Sequence, residues 1–199
     1  MPQDAPVTTT DPFVMFEAWF AEAKASEPND PNAMTLATAT PDGRPSARMV
    51  LLKGADARGF VFYTNKQSRK GEELAANRHA ALLFHWKTLH RQIRIEGEVE
   101  DVADAEADEY FASRARLSRI GAWASDQSRP LPGRAVLVAR VAKLEAQYLG
   151  REIPRPPHWS GFRLIPARFE FWQDQPFRLH DRTVFTPDGV GWATQKLFP

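Results

Sequence analysis

The sequence predicts a mostly β protein with flanking helices, an antiparallel barrel decorated by helices and not a doubly wound parallel sheet. Three observations lead there. Short apolar runs follow one another along most of the chain. Pro41-Asp42-Gly43 and Pro187-Asp188-Gly189 are strong turn signals between such runs. Helical periodicity appears only in the gaps, without the regular strand–helix alternation that parallel sheets require.

The elements follow in order. Residues 1–10 are polar and Pro-containing, which predicts a mobile arm ahead of one domain over 11–199. Asp11 then reads as an N-cap with Pro12 at the first helical position. Phe13, Phe16, Trp19, Phe20 and Ala23 recur at helical spacing and give that helix one apolar face. Strands are predicted over 34–39 and 46–53, joined as a hairpin, and over 59–64. Residues 68–76 read as a helix, and 80–86 and 92–102 as strands. Two helices, 106–113 and roughly 133–148, flank an irregular stretch. A Pro-rich segment with Pro154, Pro156 and Pro157 precedes four short strands, 162–165, 169–173, 183–186 and 192–196. They are too few for a second core.

Composition narrows the function classes. The 199 residues are 43% hydrophobic and 26% charged, ordinary for a globular domain. A net charge of +1 supplies no strong field for nucleic acid or an anionic membrane. The chain has no cysteine, which excludes disulfides, thiolate catalysis and cysteine metal sites and fits a reducing compartment. No apolar run approaches the roughly 20 residues of a membrane helix. The N-terminus lacks the basic segment and apolar core of a signal peptide, so a cytoplasmic protein is expected. Neither dinucleotide-binding and Walker glycine patterns nor a nucleophile elbow is present. His79, His85, His90, His158 and His180 show no compact metal-ligand spacing, and no metal is expected.

Four clusters could carry chemistry. In the run from Arg48 through Met49, Val50 and Leu51 to Lys53, strand alternation sends the two cations to opposite faces. Either they meet anions there or they reach solvent as strand-end charges. Arg69 and Lys70 occupy a first helical turn, where cations oppose the macrodipole. A bound phosphate would relieve that conflict, and a solvated basic corner would tolerate it. If extended, Arg178, His180 and Arg182 share one strand face, as an anion site or as a protective polar edge. Tyr110, Arg114 and Ser118 are four apart, so a continuing helix would align phenol, guanidinium and hydroxyl as a phosphate clamp. Four-residue spacing is also common by chance.

The order of these clusters resembles the pyridoxamine 5′-phosphate oxidase family. The similar stretches include Arg48-Met49-Val50-Leu51-Leu52-Lys53, Phe62-Tyr63-Thr64-Asn65 and Ser68-Arg69-Lys70. Arg91-Gln92-Ile93-Arg94-Ile95-Glu96-Gly97, Gln127-Ser128, Glu170-Phe171-Trp172-Gln173 and Arg178-Leu179-His180-Asp181-Arg182 continue the series. The likeness runs from Asp11 to the C-terminus. It implies an FMN-binding split β-barrel, a homodimer with FMN between subunits, and oxidation of pyridoxamine and pyridoxine 5′-phosphates to pyridoxal 5′-phosphate. Oxygen is the implied acceptor, giving hydrogen peroxide. Implied flavin contacts are Arg48, Met49, Val50, Leu51, Lys53, Tyr63, Thr64, Arg69, Lys70, Gln92, Gln127, Ser128, Trp172 and Arg182. Gln127, Ser128, Trp172 and Arg182 would act partly across the dimer. The implied substrate contacts are Lys53, Tyr110, Arg114, Ser118, Arg178 and His180, with Arg178 and His180 covering the pyridine ring at its reactive carbon.

Two departures stand out. The chain ends Lys196-Leu197-Phe198-Pro199 where the family commonly has arginine at the first of these positions, and lysine lacks the bidentate fork. Residues 1–10 also lack the Arg and Tyr of the family's arm. Other readings are a related flavin oxidase with another substrate, as in phenazine pathways, and a non-catalytic flavin- or pyridoxal-phosphate-binding protein.

Overall fold

The computed structural model describes residues 10–199; the arm expected over 1–10 lies outside them except for Thr10. Helix α1 (Pro12–Ser26) starts where the capping chemistry predicts, with the Asp11 carboxylate accepting from the Phe13 N–H. Phe16, Trp19 and Ala23 bury its apolar face.

A single nine-stranded sheet carries the rest of the core. Its first strands are β1 (Ala33–Ala39), β2 (Pro45–Leu51), β3 (Gly54–Asp56) and β4 (Gly59–Asn65). Helix α2 (Arg69–Ala76) leads to β5 (His79–Trp86) and β6 (Arg91–Asp101). Helices α3 (Asp104–Ser113), α4 (Arg116–Ala124) and α5 (Arg134–Gln147) follow, then β7 (Trp159–Gln173), β8 (Asp181–Asp188) and β9 (Gly191–Lys196). Strand order is β2-β1-β5-β6-β7-β4-β3, with β8 on β7 and β9 on β8, and every pairing is antiparallel. The sheet curls until its ends approach: the Lys53 N–H, just past β2, donates to the Val61 carbonyl of β4 at 2.8 Å. Alternate residues face inward, Met34 and Leu36 from β1, Leu82 and Phe84 from β5, Ile93 and Ile95 from β6. Phe16 of α1 closes the core edge-on to Phe60 and Phe84.

Three expectations need correction. The strands predicted over 162–165 and 169–173 are one strand, β7, of 15 residues. Pro166 does not break it, because the register shifts there. Gly97 pairs with Pro166 and Glu96 with Arg168, leaving Ala167 as the extra residue of a bulge. That residue resets the alternation, so Phe162 and Leu164 before it and Phe169 and Phe171 after it all face the core. Gly97 permits the close approach, since a Cβ there would lie 1.9 Å from the Ile165 carbonyl oxygen. Secondly, the stretch read as irregular contains α4. Thirdly, residues 178–182 are not one extended run. Pro176–Arg178 form a 3-10 turn, with Phe177 and Arg178 in the left-handed region (φ 61° and 65°), and extension resumes only at Asp181.

Candidate active site

Strand β2 divides the predicted residues between two recesses. Arg48 lies on its inner side with Ser46 and Val50, whereas Met49 and Leu51 are exposed. Arg48 donates to the Leu36 carbonyl and to Thr38, Ser46 and Glu73. Glu73, on α2, is buried and accepts from Thr38 (2.5 Å), Ser46 (2.6 Å), Arg48 (3.0 Å) and Arg69 Nε (2.8 Å). Burial alone would raise its carboxyl; the hydrogen bonds from Ser46, Thr38, Arg69 and Arg48 outweigh that and hold it at about 2. Lys70 Nζ donates to Gln127 Oε1 at 2.9 Å, and Thr64 Oγ1 donates to the same oxygen at 3.3 Å. Burial, then the Arg48 charge, lower Lys70 from its usual value, with Glu73 opposing. The structure thus gathers Arg48, Thr64, Arg69, Lys70 and Gln127 at the N-terminus of α2, which Ser68 caps by accepting from the Gly71 N–H. Ser128 follows Gln127 with φ 71°.

The second recess is a cleft of about 370 Å³ lined by Leu51, Lys53, Tyr63, Tyr110, Arg114, Ala115, Ser118 and Trp159. All three residues of the predicted phosphate clamp, Tyr110, Arg114 and Ser118, are in it with Lys53, but the three are not on one continuing helix. Arg114 caps α3 in an extended conformation and α4 restarts at Arg116, so the chain bends around the cleft. Three near-parallel rings form one wall: Tyr63 is 4.1 Å from Tyr110 and 5.3 Å from Trp159. The Arg114 guanidinium lies 4.7 Å from the Trp159 centroid, and Lys53 Nζ 5.9 Å from that of Tyr110. Arg114 Nη1 is buried and has no hydrogen-bond partner. Burial lowers the Arg114 pKa, the mark of a cation without a counter-ion. Burial, then the Glu106 charge, push the Tyr63 phenol up to about 12, so it stays neutral. Tyr63 and Thr64 were grouped in sequence, yet adjacent strand positions send Tyr63 to this cleft and Thr64 to Gln127.

Of the remaining predicted residues, Gln92, Trp172 and Arg182 sit on neighbouring strands, and Arg178 and His180 lie in the connection between β7 and β8. Gln92 pairs with Trp172, and Trp172 with Arg182. The His180 ring packs 4.6 Å from Trp172, and its Nδ1 is 2.9 Å from Asp174 Oδ1. Arg178 and His180 do not line the cleft. Arg182 bonds the buried Glu170 through Nε (2.8 Å) and the Phe198 carbonyl through Nη1 (3.0 Å). Glu170 also accepts from Arg94 at 2.5 Å. Lys196 sits 3.8 Å from Asp181. Sequence reasoning missed Glu73, Glu170 and the third ring, Trp159. Only Glu73 had a local signal, its i,i+4 spacing from Arg69.

The curled antiparallel sheet with its flanking helices is a split β-barrel of the flavin-binding class. PhzG from Burkholderia lata, solved with tetrahydrophenazine-1-carboxylic acid, superposes with a TM-score of 0.92 at 36% identity, covering 100% of this chain and 98% of that one. A pyridoxamine 5′-phosphate oxidase-related, FMN-binding protein of Nostoc punctiforme shares the fold at TM-score 0.73 and 15% identity, covering 99% of each chain. Residues 20–148 match the pyridoxamine 5′-phosphate oxidase model, and 159–199 the pyridoxine 5′-phosphate oxidase C-terminal dimerisation region. The chain belongs to the pyridoxamine 5′-phosphate oxidase family. A pyridoxine/pyridoxamine 5′-phosphate oxidase of Gluconobacter oxydans is 65% identical over 95% of this chain and 94% of that protein. The enzyme of that name from Rhodospirillum rubrum is 63% identical over 95% and 96%.

Proposed function

We propose that the chain oxidises pyridoxamine 5′-phosphate and pyridoxine 5′-phosphate to pyridoxal 5′-phosphate, as a homodimer with bound FMN and with oxygen as acceptor. The observation that carries this reading is the aromatic-walled cleft, where Arg114 presents a buried, unpartnered Nη1 beside Lys53, Tyr110 and Ser118. An uncompensated buried cation is costly, and a phosphate dianion removes the cost while accepting from guanidinium, ammonium and hydroxyl together. The flat rings suit the faces of a heteroaromatic substrate.

The first recess fits the FMN phosphate. Arg69 spends only Nε on Glu73 and hydrogen-bonds no other described residue through its terminal nitrogens. Arg48, Lys70 and Thr64 complete a donor set at a capped helix N-terminus, with Gln127 Oε1 accepting from Lys70 and Thr64. FMN held there would supply a two-electron acceptor for the hydride lost from substrate C4′, reoxidisable by oxygen with hydrogen peroxide as product. The protein contributes proximity and electrostatics. Lys53, Arg114 and Ser118 fix the substrate phosphate, and Tyr63 and Tyr110 exclude water beside it. Arg178 and His180 lie outside this cleft next to the very exposed Phe177 and Leu179, and serve the partner subunit's cleft by covering the pyridine ring. The amine substrate loses a hydride and a proton, and water then releases ammonia and the aldehyde. The alcohol gives the aldehyde directly.

Anaerobic mixing of FMN-loaded protein with each substrate tests the reading. Flavin absorbance should bleach and return on admitting air. A flavin that binds but stays oxidised with both substrates would discard the vitamin B6 reaction.

A further inference from the structure

Glu73 belongs to neither proposed ligand set, yet it accepts from Arg48 and Arg69 through different carboxylate oxygens, Oε2 and Oε1. Thr38 and Ser46 fill the remaining acceptor sites on Oε2. Its side chain is 5% exposed, against 19% for Arg48 and 64% for Arg69. We propose that Glu73 is the positioning residue of the flavin phosphate subsite, holding Arg48 and Arg69 in the geometry that receives the phosphate. The inference rests on the FMN reading above.

Charge counting shows why an acidic residue belongs in a site for an anion. Arg48, Arg69 and Lys70 against Glu73 leave two net positive charges, the complement of a phosphate monoester dianion. Without Glu73, three cations face one another in a partly buried recess. The exposed Arg69 then swings to solvent, and Lys70, already disfavoured as a cation by burial and by Arg48, loses the one carboxylate that supports its charge. Added attraction for phosphate is outweighed by the loss of a preorganised fork, because an arginine that must be reordered on binding spends side-chain entropy.

The test compares FMN with riboflavin, which lacks the phosphate, by flavin-fluorescence quenching on the apoprotein. Wild type should prefer FMN strongly, and that preference should weaken with salt. Glu73→Gln should weaken FMN binding by about tenfold or more, the scale of one lost charge-assisted contact, while riboflavin binding stays unchanged. Glu73→Asp, which keeps the charge, should recover part of the preference and serves alone if the glutamine variant does not fold; it should then fall between wild type and riboflavin-like behaviour. FMN binding by Glu73→Gln as tight as wild type or tighter overturns the proposal, as does an aspartate variant with undiminished preference. A wild-type protein that binds FMN and riboflavin equally would instead discard the phosphate-subsite reading itself.

Discussion

Gly161 lies directly under the ring of Tyr63: a Cβ at Gly161 would sit 2.8 Å from two ring carbons and 2.9 Å from a Val102 methyl. The two residues are register partners on β7 and β4, so the glycine lets the ring lie flat across the neighbouring strand and stack on Trp159. Gly161→Ala must tilt Tyr63 out of the wall. We expect a destabilisation of about 1–3 kcal/mol from overpacking. KM for the phosphorylated substrate should rise several-fold with FMN affinity unchanged. Urea unfolding and steady-state kinetics read the two effects, and an unaltered KM would separate the ring stack from substrate binding.

Arg114→Met should divide function from stability. Removing an uncompensated, half-buried cation relieves desolvation and forfeits a cation–π contact, so thermal stability should stay within about 1 kcal/mol of wild type. Losing the phosphate contact should lower kcat/KM on the order of 100-fold. A variant that unfolds readily but turns over normally would assign Arg114 to structure.

Arg178→Ala tests the ring-covering role. FMN should be retained and turnover should fall about 100-fold or more, the scale of a lost positioned charge. Normal oxidation by this variant would remove Arg178 from the mechanism.

Glu73 also predicts acid sensitivity. Its folded value of about 2 lies below the ordinary 4.5, so its contribution is full above the unfolded value and is lost as pH falls from about 4.5 toward 2. Denaturant midpoints at pH 7 and pH 3 should show a smaller acid loss in Glu73→Gln than in wild type. Equal losses would place the acid-labile group elsewhere.

Tyr63 predicts the alkaline counterpart. Its phenol is raised from 10.0 to about 12, so the folded state favours the protonated form, and the contribution present below pH 10 fades as pH rises through 12. Tyr63→Phe should unfold less steeply over that window, followed by far-UV circular dichroism.

Much of this was legible in local sequence. The Asp11 cap, most strand runs and the Pro-Asp-Gly turns depend on neighbours a few residues away, and the structure places them where that chemistry predicts. The continuity of β7 was not legible, because Pro166 reads as a breaker until the bulge opposite Gly97 is known. Helix α4 escaped for a similar reason, lacking a side-chain cap at Ala115. Tyr110, Arg114 and Ser118 do come together in one cleft, but around a bend at Arg114 in place of an unbroken helix. Glu170 could not be paired with Arg94 and Arg182, since those contacts exist only once β6, β7 and β8 are in register. The turn at Phe177 and Arg178 was hidden because neither residue advertises a positive φ.

The position of β7 has a consequence for how the chain is made. This strand pairs with β4, β6 and β8, and it is synthesised late, with only β8 and β9 after it. Until residues 159–173 leave the ribosome, β4 and β6 each expose an unsatisfied edge on an otherwise apolar core. Folding of the first 148 residues should therefore stall in an aggregation-prone state that chaperones hold, and stalled nascent chains released just before and just after residue 173 should differ sharply in solubility.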